Sequence, residues 1–143
     1  MLIKCISNSM SSLPLSLRCL GETDNTDFTF LKVGHMYVVY GLMFFPCRVD
    51  YLISPEDNDP VWVPGDFFEI IDKKLHSDWS INITHLDENY KILYENFNIQ
   101  VLIGYVDLVT SISHYIGILE REPSDLRKFY GEKNKIDEWQ LAR

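Results

Sequence analysis

The sequence predicts an α+β fold: a curled antiparallel β-sheet, or a small SH3-like barrel, over the first two-thirds of the chain, followed by C-terminal helices. Three observations lead there. Up to residue 84 the apolar residues fall in short runs separated by Pro, Gly, Asn and Asp. After Gly104 the apolar spacing changes from strand-like to helical. With 46% hydrophobic and 13% aromatic residues, a 143-residue chain has enough apolar surface for a core. The expected organisation is one domain, residues 1–143, with 1–104 mainly β and 105–143 mainly α.

Residues 2–6 read as a first strand, and residues 7–27, rich in Ser, Asn, Asp and Thr, as a long loop. Residues 36–45 read as one long aromatic and β-branched strand, entered through a turn at Gly34, curled at a bulge or bend at Gly41, and ended by Pro46. Residues 47–54 form the next strand, the Pro55–Pro60 segment a turn, residues 61–63 a third strand, and residues 67–72 a fourth. Residues 79–84 alternate with period two, as expected of a strand with one wet face. Between 87 and 104 the pattern fits helix or strand around Tyr90–Tyr94 and an extended, buried run at 99–103. Leu108, Ile112, Tyr115, Ile116 and Leu119 then share one helical face. A second helical region begins near Pro123 and runs toward Trp139, with a split expected at Gly131.

The residue types argue against several chemistries. No phosphate-cradling glycine motif and no Gly-x-Ser-x-Gly elbow occurs. His35, His76, His85 and His114 lie at no metal-ligand spacing and read as surface or strand-edge residues, so neither metal nor cofactor is expected. Cys5, Cys19 and Cys47, odd in number and far apart, read as free thiols. No catalytic pair stands out, so the expectation is a binding protein and not an enzyme. No run is long enough for a membrane helix and the start lacks signal-peptide character, which predicts a cytoplasmic protein without a membrane partner.

Charge is the most informative feature. The net charge is −8, and the segment 50–95, with eleven acids against three bases, carries all of the excess. Such a field repels nucleic acid and attracts basic partners. The carboxylates expected to contact a partner are Glu56, Asp57, Asp59, Asp66, Asp72, Asp78, Asp87 and Glu88. Tight binding also needs aromatic or aliphatic anchors, because rim charges mainly set the on-rate. An alternative is a small adaptor that binds a peptide through an aromatic groove around Trp62.

Two stretches carry a resemblance. Residues 31–41 contain a K-V-G-x-x-Y-x-V-Y-G pattern, and residues 60–72 a P-x-W-x-P-x-x-x-F-E-I-I-D pattern. With residues 102–109, His114-Tyr115 and 119–122, these resemble small bacterial immunity proteins of polymorphic toxin systems, including contact-dependent growth inhibition, over roughly residues 31–136. The resemblance implies a protein that neutralises the C-terminal domain of a cognate toxin. Charge adds that the toxin has a basic cleft, as a nuclease would, and that its active site is blocked through the acidic surface. The motif residues are scaffold residues, so the resemblance supplies no catalytic group.

Overall fold

Eight strands, four helices and five short 3-10 turns make up the computed structural model, which describes residues 1–143. The strands are β1 (Leu2–Cys5), β2 (Met36–Val38), β3 (Gly41–Phe44), β4 (Val49–Ile53), β5 (Val61–Pro64), β6 (Phe68–Asp72), β7 (Ser80–Ile83) and β8 (Val101–Gly104). The helices are α1 (Lys91–Phe97), α2 (Val106–Thr110), α3 (Ile112–Leu119) and α4 (Pro123–Leu141). All strand pairings are antiparallel, in a small sheet of order β2-β1-β6 and a larger one of order β5-β4-β3-β8-β7. The α+β class is therefore as expected, with β-structure first and helices last.

The barrel does not form. The segment expected as one strand over 36–45 divides at Val39–Tyr40. Val39 N–H donates to Met1 O (3.1 Å), on the β1 side, whereas Tyr40 N–H donates to Leu52 O (2.8 Å), on the β4 side. A second corner lies at the Gly65–Phe67 turn, which carries the chain from β5 into β6. Each corner interrupts the ladder where a strand changes sheet, so two open sheets result. Their free edges are β2 and β6 in the small sheet, β5 and β7 in the larger.

Gly41 marks no bulge, since β3 keeps continuous register with β4 and β8. Its role is close approach. It pairs with Gly104 across the ladder, and a Cβ on either would stand 2.6 or 2.7 Å from Leu108 Cδ2. The two glycines let α2 settle onto the sheet. Gly34, with φ +90°, takes the turn conformation expected of it.

The larger sheet is the middle layer, and its alternation divides the core in two. Leu42, Tyr51, Ile53 and Val63 point to the small sheet and pack with Ile3, Leu31, Phe67 and Phe68. Met43, Leu52 and Leu102 point the other way, under Tyr90, Leu108, Tyr115, Ile118, Phe129 and Ile136 from the helical side.

α1 ends at Asn98, which adopts the left-handed conformation (φ 59°) and turns the chain into β8. α4 is continuous through Gly131, contrary to the expected split. The glycine faces open space, while Phe129, Lys133 and Ile136 on the same helix are buried, and that packing offsets its weak helix propensity. His114 is also not at the surface. It is 1% exposed on α3, with Nε2 2.8 Å from Tyr105 Oη and Nδ1 2.8 Å from Asp125 Oδ1, and so ties α3 to the start of α4. Asp125 lies directly over Gly117, which leaves no room for a side chain there.

Candidate protein-interaction surface

β7 is a free edge strand with exposed isoleucines, as is β6, where Ile70 and Ile71 are 52% and 46% exposed. Thr84 N–H donates to Gln100 O (3.0 Å), and the register pairs Asn82 with Leu102 and Ser80 with Gly104. Antiparallel ladders alternate inward and outward bonding. The N–H and C=O groups of Ile81 and Ile83 therefore point away from β8, along the unpaired edge. Their side chains face away from the helices and stay 61% and 42% exposed, because the small sheet does not extend over this end of the larger one. The wet face expected for residues 79–84 is thus the isoleucine face.

The inward polar residues are Asn82 of β7 and Thr84 just after it, both buried. Asn82 Nδ2 donates to Val109 O (2.8 Å) and to Asp87 Oδ2 (3.0 Å), and Thr84 Oγ1 donates to Ile99 O (2.6 Å). These bonds hold β7 to α2 and to the chain before β8. Burying Asn82 inward leaves the isoleucines outward. A shallow depression of about 380 Å³ runs along the edge, lined in part by Ile81, Ile83, Leu86 and Thr110. Leu86 is 74% exposed beside it, and His85 stacks near Tyr94 with ring centroids 5.5 Å apart.

In sequence, acids stand on either side of this apolar strip. Asp78 precedes β7, and Glu88 follows the Thr84–Leu86 turn; both are exposed and neither has an ion-pair partner within the chain. Asp87 is half-buried and occupied: its Oδ1 accepts from Asn89 N–H (2.8 Å) and Tyr90 N–H (3.1 Å).

The other acids expected at an interface lie elsewhere and differ in availability. Asp57 and Asp59 sit in the loop after β4 and face α4. Asp57 meets Lys133 Nζ at 2.8 Å, and Asp59 accepts from Tyr130 Oη (3.0 Å) with Arg121 at 3.5 Å. Lys133 also binds Asp137 (2.6 Å), whose other oxygen accepts from Tyr40 Oη (2.6 Å). Glu56 is exposed, 3.4 Å from exposed Lys32. Glu56 and Asp57 both have positive φ, 52° and 58°, a strained arrangement for two consecutive residues with side chains.

Asp72 is clamped by Arg143 at 2.6 and 2.9 Å and by Gln140 at 2.9 Å, and these bonds hold its carboxyl well below the usual range. Asp66 is exposed at the β5–β6 corner with no ion pair. The eight carboxylates therefore do not converge on one patch. Asp78, Asp87 and Glu88 cluster in sequence around the β7 edge, Glu56–Asp59 border α4, Asp72 meets the end of α4, and Asp66 stands apart.

Trp62 packs against the helix-side core, 6.4 Å from the Tyr115 ring, with its indole Nε1 enclosed. No group of three His, Cys, Asp or Glu side chains converges in a way that could hold a metal ion, and no helix is long and apolar enough to cross a membrane.

Alternation at 79–84 marks the strand in the sequence but not its exposed apolar edge. The missing information was which face the rest of the fold would cover. No family model, no curated protein and no solved structure matches the chain.

Proposed function

We propose that this chain is an immunity-type binding protein that neutralises a basic toxin domain, and that it docks through the free edge of β7. The observation that carries the reading is the pair Ile81 and Ile83, whose backbone groups and side chains are both open to a partner. An unpaired, apolar edge of this kind is a liability unless something covers it. A partner strand laid beside it would gain ladder bonds and bury two isoleucines and Leu86.

The acids supply the second half of the mechanism. Asp78 and Glu88, next to β7 in sequence, and the more distant Asp66 have no ion-pair partner and are free to attract Lys and Arg on the partner, while exposed Glu56 faces only exposed Lys32. Asp57, Asp59, Asp72 and Asp87 already hold internal partners, so their main contribution is to the long-range field. The division matches a protein interface: apolar anchors at the centre, charges at the rim. That the partner is a toxin follows from the resemblance to immunity proteins, and that it is basic follows from the net charge of −8.

The test is co-expression with the C-terminal domain encoded by the neighbouring gene. Growth rescue together with a one-to-one complex supports the reading. Absence of both removes it.

A further inference from the structure

We propose that Cys19 and Cys47 are an oxidation site: a thiol pair that peroxide converts into an intramolecular disulfide, locking the long segment after β1 onto the β3–β4 hairpin. The two sulfurs lie 3.4 Å apart although the residues are 28 positions apart in sequence. A disulfide needs about 2 Å between sulfurs, so a small side-chain adjustment closes the gap.

The surrounding structure holds the pair in place. Cys47 sits in the tight turn between β3 and β4, closed by Phe45 N–H donating to Arg48 O (2.8 Å). Cys19 follows the Leu15–Leu17 turn. Arg48 joins the two pieces: Nη1 donates to Leu17 O (3.0 Å) and to Glu22 Oε2 (2.8 Å), while Nε and Nη2 donate to Asp50 (2.7 and 3.0 Å). The guanidinium is buried, so the segment carrying Cys19 is pinned beside Cys47 before any oxidant arrives.

The two thiols have different roles. Cys47 is exposed and Cys19 half-buried. Burial, followed by the hydrogen bond with Cys47, pushes the Cys19 thiol up to about 11. Cys47 therefore meets the oxidant first. Its thiolate attacks hydrogen peroxide to give a sulfenic acid and hydroxide. Cys19 sulfur then displaces water from the sulfenic sulfur, its proton going to the departing oxygen. Overall, two thiols and one peroxide give one disulfide and two waters, and a dithiol reductant reverses the change. Cys5, 1% exposed, takes no part.

The test uses the full chain, reduced and then treated with hydrogen peroxide, alkylated under denaturing conditions and mapped by mass spectrometry without reduction. The expected result is a single Cys19–Cys47 cross-linked peptide, Cys5 fully alkylated, a monomeric band on a non-reducing gel, and a melting temperature higher by roughly 5–10 °C for closing a loop of this length. In Cys19→Ser the expected product is a sulfenic acid on Cys47 that dimedone captures. In Cys47→Ser no oxidation of Cys19 is expected while the chain is folded. Over-oxidation of Cys47 in the wild-type chain without a cross-link, a Cys47–Cys47 dimer, or any bond to Cys5 would overturn the proposal.

Discussion

Arg48 and Asp50 form a bidentate ion pair, with Nε and Nη2 at 2.7 and 3.0 Å from the two carboxylate oxygens and both side chains 1% exposed. Asp50 lies on β4 and Arg48 immediately before it, so the pair sits at the base of the hairpin that also receives Glu22 and Leu17. A charge left alone in such a place has no water to turn to. Replacing Arg48 with Ala, which leaves the buried Asp50 carboxylate without its partner, should cost about 3–5 kcal/mol, measurable by urea unfolding. A loss below about 1 kcal/mol would mean that water reaches the site.

The glycines of the helical half should respond in opposite directions. Gly131→Ala faces open space inside α4 and should stabilise by about 0.5–1 kcal/mol. Gly117→Ala meets the Asp125 carboxylate and must disturb the His114–Asp125 contact, so it should lower the melting temperature. Thermal unfolding of both variants checks the pair, and equal effects would contradict the packing described.

Stability should fall in acid through two carboxylates. Asp72 is held below its ordinary range by Arg143, then by Gln140 and Lys74 N–H. At Glu22 burial raises the carboxyl, but the hydrogen bond from Arg48 and its neighbours outweigh this, and the net shift is also downward. Because both folded values are depressed, their contribution is complete above the ordinary carboxylate range and is lost only as pH falls below that range toward each folded value. Between pH 7 and pH 3 the unfolding midpoint of Glu22→Gln should move toward the wild type, while Asp72→Asn should keep most of its deficit at pH 3, because the folded Asp72 carboxyl is still ionised there.

Asn82 should matter for the shape of the edge strand. It is 7% exposed and supplies the bonds to Val109 and Asp87 that face β7 polar-side inward. Asn82→Ala should cost about 1–3 kcal/mol and increase amide exchange across Ser80–Ile83 before it affects β3 or β4. Uniform exchange over the larger sheet would show that β7 is not an independently opening edge.

Much of the architecture was readable from local signals. Turn residues and alternation located β1, β4, β5 and β7, and the change of period after Gly104 located the helices beyond it, while α1 stayed open between helix and strand. Contacts between distant residues were not readable. Gly41 reads as a bulge in isolation and acts as a seat for Leu108 only once Gly104 lies beside it. The alternation at 79–84 gives a strand, yet which face is wet depends on how far the small sheet extends. Cys19 and Cys47 look unrelated at their spacing and meet through Arg48. Among the acids, sequence gives the total charge, while the pairing of Asp57 with Lys133 and of Asp72 with Arg143 is a property of α4 folding back over the sheets.

The β7 edge is the proposed docking surface. Its most direct test is binding of the neighbouring gene's C-terminal domain to the wild-type chain and to Ile81→Lys/Ile83→Lys, with circular dichroism confirming that the variant folds. Both changes lie on an exposed face, so the fold should survive while affinity falls at least about 100-fold, a loss on the order of 3 kcal/mol. Unchanged affinity in the folded variant would contradict docking at this edge.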